Sequence, residues 1–153
     1  MKIIVDNKEK NPWLFAFAKG DVHLIHKHLP TADYTIDGFE EILCIERKNS
    51  ISELAGCIFK PAFKKELDRM KSFKYAFLLI EDSFENIADY PDNTRLPRKV
   101  KNKIRVKAPQ IIGFISSLMV NTNIKVLFCG DKYAAEEMAY SIMTKVQKIE
   151  SSL

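Results

Sequence analysis

The stretch Cys44–Ser50, CIERKNS, indicates a buried strand that ends in charged residues. The β-forming run Ile42–Ile45 leads directly into an acid and two bases. Because side chains alternate along a strand, Glu46 and Lys48 share one face and Arg47 points to the other. The sequence therefore predicts a buried strand whose end places a carboxylate and an ammonium group at one point.

A second carboxylate, that of Asp33, lies upstream in PTADYTID (30–37). Asp33 begins a predicted strand that pairs with 41–46 as a hairpin, which brings its side chain beside Glu46. Carboxylate oxygens suit Mg²⁺ or Mn²⁺, and magnesium takes one or two protein carboxylates while keeping water and substrate phosphate as its other ligands. With Lys48 beside a metal-activated water, these residues predict a site for phosphodiester hydrolysis.

The surrounding pattern alternates strands with helices and predicts an α/β fold. Asn11-Pro12 predicts a helix that closes at Gly20, and Ser50 and Glu53 have capping-box spacing. Pro61 divides the next helical region, and a long polar segment, 82–108, predicts a loop. Strands are predicted at 2–6, 22–29 and 33–36 (one bent strand or two), 41–46, 74–82 and 124–131. Helices are predicted before Pro61, at 62–71, from Pro109 and at 132–149.

Length and composition favour one domain, 1–153, with an ordinary hydrophobic core. No apolar run reaches the roughly 20 residues of a membrane span, and the N-terminus lacks the apolar core of a signal peptide. We therefore expect a cytoplasmic protein with no membrane partner, whose three cysteines stay reduced. A net charge of +4 permits a polyanionic partner.

The motifs LPTADYTID (29–37) and ILCIERKNSISELAGCI (42–58) resemble the signature GDY…VERKxxxDL of XPF-type structure-specific endonucleases, in the PD-(D/E)xK superfamily. VDNKE (5–9), AFKKELDRM (62–70) and VLFCGDK (126–132) are similar to the family's VDxRE, RF-x-x-Q/E and G-D-R segments, in family order. The resemblance implies a restriction-endonuclease-like central mixed β-sheet flanked by helices. It also implies an Mg²⁺- or Mn²⁺-dependent endodeoxyribonuclease that cuts flaps, forks or junctions in repair or recombination.

The same resemblance assigns roles to individual residues. Asp33 and Glu46 bind the metal with the main-chain carbonyl of Arg47, and Lys48 orients and helps deprotonate the attacking water or stabilises the developing charge. Asp6 and Glu9 supply outer ligands or a second metal site.

The sequence leaves the roles of three residues open. The Arg47 side chain is either catalytic or a salt-bridge partner of Asp6 or Glu9. Glu53 stands where the family has aspartate, one residue further from Lys48, which leaves its role undecided. Ala62 occupies the family's arginine position, so that contact is lost or passes to Lys64 or Lys65.

DNA contacts are expected from basic side chains near the site and in the polar segment, because each lysine or arginine that neutralises a phosphate releases counterions. The alternative is that this segment is only solvated surface. The predicted DNA-binding residues are Lys8, Lys64, Lys65, Arg98, Lys99, Lys101 and Lys103.

The resemblance further implies a homodimer through the C-terminal helices, although their apolar residues could equally form ordinary core. The chain ends at Leu153 without the helix-hairpin-helix or helicase parts of larger relatives, which favours a bacterial or phage source. A catalytically silent DNA-binding or scaffold subunit is the alternative function. Degenerate copies lose the Asp33, Glu46 and Lys48 set, and this chain keeps it.

Overall fold

The apolar runs of the sequence form a six-stranded mixed sheet in the computed structural model, which describes residues 1–153. The spatial order is β2-β1-β3-β4-β5-β6. The strands are β1 (Lys2–Asp6), β2 (His23–Lys27), β3 (Tyr34–Ile36), β4 (Leu43–Lys48), β5 (Tyr75–Ile80) and β6 (Lys125–Phe128). The helices are α1 (Ile51–Cys57), α2 (Pro61–Met70), α3 (Arg98–Lys101), α4 (Ala108–Asn121) and α5 (Lys132–Glu150).

Strand pairing divides the sheet into an antiparallel centre and parallel flanks. β3 is antiparallel to both β1 and β4, while β2 lies parallel to β1, and β4, β5 and β6 are mutually parallel. The predicted hairpin is therefore confirmed as β3 and β4. Residues 22–29 and 33–36 were predicted to form either one bent strand or two. They form two strands, because β2 and β3 pair with opposite edges of β1.

Each face of the sheet has its own apolar core, as the alternation along β4 requires. Cys44 packs with α1, α2 and α4 on one face. Leu43 and Ile45 pack on the other face with α5 and with Trp13 and Phe15. The fold is the central mixed sheet flanked by helices that the family resemblance implied, and it agrees with the α/β fold predicted from the strand and helix pattern.

The helix predicted from Asn11 to Gly20 is wrong. Only Ala16–Ala18 forms a single 3₁₀ turn. The Trp13 amide donates to the Tyr34 hydroxyl at 2.9 Å, and the Phe15 amide donates to the Glu136 carboxylate. Because these tertiary acceptors take the backbone donors that would begin a helix, the Asn-Pro start signal is overridden.

Two other local predictions, the start of α1 after Ser50 and the division of the helices at Pro61, are confirmed. The Glu53 amide donates to Ser50 Oγ at 3.0 Å, as the capping spacing requires, and Pro61 opens α2 after α1 ends. The polar segment is mostly irregular, but it also contains a 3₁₀ turn, Phe84–Ile87, and the short helix α3. All three cysteines are free thiols. None of the helices has the length and apolar character that a bilayer crossing needs.

Candidate active site

The side chains of Glu46 and Lys48 meet at the carboxyl end of β4. Lys48 Nζ donates to Glu46 Oε1 at 2.8 Å, and both residues are more than nine-tenths buried. The ammonium group lies 4.7 Å from the ring centroid of Phe63 on α2. The predicted shared face is therefore confirmed, and the lysine is held on one side by a carboxylate and on another by an aromatic ring.

Asp33 lies beside this pair, immediately before β3. Its amide donates to the Ile45 carbonyl at 3.0 Å, and its Oδ2 accepts from the Arg47 amide at 2.8 Å. Burial, then the negative charges of Glu46 and Glu9, raise the pKa of the Asp33 carboxyl well above its ordinary value. Two carboxylates thus converge, as the hairpin predicted.

The lysine remains protonated in this setting. Burial acts to lower the pKa of Lys48, but the Glu46 carboxylate and its hydrogen bond overcome that effect, so the pKa is raised. Burial also raises the pKa of Glu46, partly offset by Lys48. Lys48 is consequently a hydrogen-bond donor and positive charge at neutral pH, and not a proton acceptor.

Arg47 points to the opposite face of β4 and uses its donors within the protein. Its guanidinium forms ion pairs with Glu81 and with Glu9, the latter at 3.0 Å, and donates to the Asn11 carbonyl at 2.6 Å. The guanidinium also lies 5.1 Å from the ring centroid of Trp13. Of the two salt-bridge partners expected from sequence, the structure has Glu9 and not Asp6.

Glu9 and Asp6 differ in what their oxygens contact. Glu9 Oε2 accepts from the Tyr34 hydroxyl and from Arg47, both at 3.0 Å, which leaves Oε1 without a hydrogen bond. Asp6 is buried, and its two oxygens accept from the amides of Leu29 and Lys8. Asp6 therefore holds the backbone at the end of β1, and its role as an outer metal ligand stays a prediction.

Comparisons with known proteins show which family this chain belongs to. A sequence model of the ERCC4 domain matches residues 5–142. The chain belongs to the ERCC4 domain family. No curated protein matched the sequence significantly.

Two solved structures share the fold of this ERCC4 domain. XPF from Aeropyrum pernix has a TM-score of 0.69 and 18% identity, covering 95% of this chain and 61% of that chain. A structure described as XPF from Aeropyrum pernix in complex with DNA also has a TM-score of 0.69, with 19% identity, covering 96% of this chain and 65% of that one. The ERCC4 domain thus spans less than two thirds of either chain.

The donor atoms of this ERCC4 domain fit a hard divalent cation. Asp33 and Glu46 present carboxylate oxygens that repel one another, which a cation between them would relieve. The chain has no group of three or more His, Cys, Asp or Glu side chains arranged for metal binding. Because magnesium often takes only one or two protein carboxylates, two are sufficient when water and phosphate complete its coordination.

Three residues around the site had no role predicted from the sequence. Glu66 accepts a hydrogen bond from the Ala32 amide and pairs with Arg69. It therefore supports Ala32, the residue before Asp33, whose φ of 62° is left-handed. Glu81 and Trp13 belong to the Arg47 network. Two of these residues could have been found from the sequence, because Glu66 lies in the segment similar to RF-x-x-Q/E and Glu81 is the acid that follows a buried strand. No sequence pattern indicated a role for Trp13.

The predicted DNA-binding residues lie at three places on the surface. Lys8 lines a polar cleft of about 290 Å³ with Glu9, Arg47 and Glu53. Lys64 and Lys65 are exposed on α2, and Arg98, Lys99 and Lys103 are exposed in the polar segment. Lys101 is different, because it is half-buried and its ammonium donates to the Asp92 carbonyl at 2.8 Å.

Proposed function

We propose that this ERCC4 domain is an Mg²⁺- or Mn²⁺-dependent endodeoxyribonuclease that hydrolyses phosphodiester bonds in branched DNA during repair or recombination. The observation that carries the proposal is the convergence of Asp33, Glu46 and Lys48 at one buried strand end. The description of one matched structure as XPF in complex with DNA supports DNA as the substrate.

Asp33 and Glu46 are the residues that would hold the metal. A bound divalent cation supplies Lewis-acid stabilisation of phosphate charge and lowers the pKa of water. The Arg47 amide fixes the Asp33 carboxylate by its 2.8 Å hydrogen bond, and Lys48 orients Glu46 in the same way. This preorganisation means that neither carboxylate has to find its position when substrate arrives.

Lys48 acts on the substrate as an ammonium ion. Its raised pKa favours the second role that the sequence left open, stabilisation of negative charge on the phosphate oxygens. It can also donate a hydrogen bond that orients the attacking water. The proton of the attacking water must pass to another group or to solvent. The candidate acceptor is Glu9 Oε1, which forms no hydrogen bond. The Glu9 carboxylate is close enough to Asp33 to raise the pKa of Asp33.

Arg47 has a positioning role in this proposal. Its ion pair with Glu9 and the Tyr34 hydroxyl bond hold the Glu9 carboxylate beside Asp33. Glu53 joins the site from the other side, since its Oε1 lies 3.9 Å from Lys48 Nζ. Asp6 supports the β1 end and thereby Asp33, whose carbonyl accepts from the Asp6 amide at 2.8 Å.

DNA contacts are assigned to exposed basic side chains. Because binding of these side chains to phosphate releases counterions, the DNA affinity falls as the salt concentration rises. Among the predicted DNA-binding residues, the groups that remain free for phosphate are those of Lys8, Lys64, Lys65, Arg98, Lys99 and Lys103, and Lys101 is the weaker candidate.

A homodimer through the C-terminal layer completes the proposal. Ala135, Met143 and Val146 are buried within the subunit and are ordinary core. Met119 and Met138 are 47% and 40% exposed, and they line a shallow groove of about 650 Å³ with Ile142 and β6. This apolar groove, beside the unpaired edge of the sheet, supports a second copy as its occupant.

A silent DNA-binding subunit is the second candidate function. A cleavage assay on labelled flap, fork, nicked and duplex DNA, with Mg²⁺, Mn²⁺ or EDTA, separates the two. We expect metal-dependent incision that favours a branched substrate. Binding without incision of any substrate in either metal would instead establish the silent subunit.

A further inference from the structure

A separate cleft, here called the outer cleft, opens between α2 and α4. Its volume is about 670 Å³, within the usual range for ligand sites. Phe114 and Leu118 on α4 form part of its apolar floor, and the α1–α2 turn with the outer surface of α2 forms the opposite wall. None of the proposed metal-binding residues lines it, so it is not part of the active site.

One aromatic ring stands at the rim of the outer cleft. Phe59, in the turn between α1 and α2, is 74% exposed, although an ordinary phenylalanine is largely buried. The neighbouring Phe63 is buried and packs against Phe114, with ring centroids 6.0 Å apart. Phe59 therefore offers a solvent-facing ring while the cleft floor is already filled.

The charged side chains on the rim are mainly basic. Lys60 and Lys64 are exposed and form no ion pair, and Lys71 pairs with Asp68, the only acid in the lining, at 2.8 Å. Helical spacing places Lys64, Asp68 and Lys71 along one face of α2. The cleft consequently has two uncompensated positive charges beside an exposed aromatic ring.

We propose that the outer cleft binds an unpaired DNA strand, with a base stacked on Phe59 and flanking phosphates on Lys60 and Lys64. Proteins that bind single strands combine a basic groove with aromatic rings on which bases stack. On α4, Asn121 Nδ2 donates to Ser117 Oγ at 3.1 Å, which leaves the Asn121 side-chain carbonyl and the Ser117 hydroxyl hydrogen to meet base edges.

This inference rests on the proposed function for its substrate and specifies which arm of a branch the domain holds. The inner face of α2 contacts the active site through Phe63 and Glu66. Because a helix with its side chains is about 10–12 Å across, a strand in the outer cleft lies one helix diameter from the catalytic carboxylates. A substrate with an unpaired arm can therefore occupy both places.

Binding of a short oligothymidylate and of blunt duplex DNA, measured in EDTA, tests the inference without any catalysis. Phe59→Ala should weaken oligothymidylate binding about 5- to 150-fold, the equivalent of the loss of one stacked base, and duplex binding by much less. Lys60→Ala with Lys64→Ala should also weaken single-strand binding. Tyr133→Ala, which removes a ring that is 77% exposed on α5, is the matched control and should change neither affinity.

Amide chemical-shift mapping by NMR locates the strand directly in the 17.6 kDa protein. We expect oligothymidylate to shift resonances of Phe59, Lys60 and Lys64. An equal effect of Phe59→Ala and Tyr133→Ala, or shifts confined to other surfaces, would overturn the inference. So would shifts at the outer cleft with polyglutamate and none with oligothymidylate, which would assign the cleft to an acidic peptide.

The outcome is independent of whether the domain cuts DNA. If the wild-type protein fails to incise any branched substrate but Phe59→Ala selectively loses single-strand binding, the proposed function fails and the outer cleft stands. If incision occurs and single-strand binding is unaffected by Phe59→Ala, the reverse holds. Circular dichroism of each variant verifies that the fold is intact.

Discussion

The two faces at the end of β4 carry similar charges but satisfy them differently. On the Arg47 face, the Glu9 and Glu81 carboxylates accept from the guanidinium and also from Tyr34 or Trp13. On the Glu46 face, Asp33 receives one backbone hydrogen bond and its pKa is raised by burial and by its acidic neighbours. The first face is an ion-pair network that holds Arg47 and Glu9 in place, whereas the second brings two like-charged carboxylates together beside a single ammonium group.

Loss of Lys48 should produce the largest change, which is a fall in the rate of DNA cleavage. We expect Lys48→Ala to reduce cleavage about 10²- to 10⁴-fold, the range for a group that stabilises charge or orients the nucleophile in the transition state, with DNA affinity nearly unchanged. Single-turnover cleavage and equilibrium binding measure the two quantities, and melting curves confirm folding. Full activity in a folded Lys48→Ala variant would remove the lysine from the mechanism.

Loss of Arg47 should act on stability instead. Its side chain is 9% exposed, and removing one partner of a buried ion pair typically costs about 3–5 kcal/mol. Urea unfolding of Arg47→Ala should show a loss of this order. The milder Arg47→Lys keeps the charge but not the planar fork, and should lose less stability.

Arg47→Lys also distinguishes positioning from catalysis. Cleavage per folded molecule should fall much less in this variant than in Lys48→Ala, because Arg47 touches no substrate in the proposal. A loss of cleavage as large as that of Lys48→Ala, at unchanged stability, would make Arg47 a catalytic group and end the contrast between the two faces.

The basic segment, residues 95–107, gives an intermediate effect on binding. Replacing Lys99 and Lys103 with alanine should reduce the log–log salt slope of duplex binding by about 0.9 for each lost phosphate contact. Lys101→Ala should change the slope less, because its ammonium is held by the Asp92 carbonyl. Identical slopes in the double variant and the wild type would mean that the segment is solvated surface only.

The smallest expected effect is on thermal stability, and it comes from the repulsion between the Asp33 and Glu46 carboxylates. The folded-state pKa of Asp33 is raised, so the unfolded chain releases this proton first. Stability of the metal-free protein should therefore fall as pH rises above the ordinary aspartate value of about 3.9, until the raised folded pKa is passed. At neutral pH in EDTA, Asp33→Asn should melt higher than wild type because the repulsion is relieved.

Magnesium should reverse that order. Ligand at ten times its dissociation constant stabilises by about 1.4 kcal/mol, or roughly 3–5 °C for a domain of this size, and only the wild type should gain it. Differential scanning calorimetry with and without Mg²⁺ measures both melting temperatures. An equal gain in both proteins would show that Asp33 is not a metal ligand.

Local patterns in the sequence predicted much of this molecule. Alternation along Ile42–Lys48 was enough to place Glu46 and Lys48 on one face and Arg47 on the other. Ser50 and Glu53 located the start of α1, and Pro61 separated α1 from α2. These features depend on backbone geometry within a few residues, which the chain specifies by itself.

Contacts between distant segments were decided only by the tertiary structure. The sequence predicted a helix at 11–20, but Tyr34 and Glu136 take the backbone donors of Trp13 and Phe15. It likewise gave no means of pairing Arg47 with Glu81 or of placing Phe59 beside the wall of α4. Such pairings depend on strand register and helix packing across the whole chain, so short-range propensity cannot determine them.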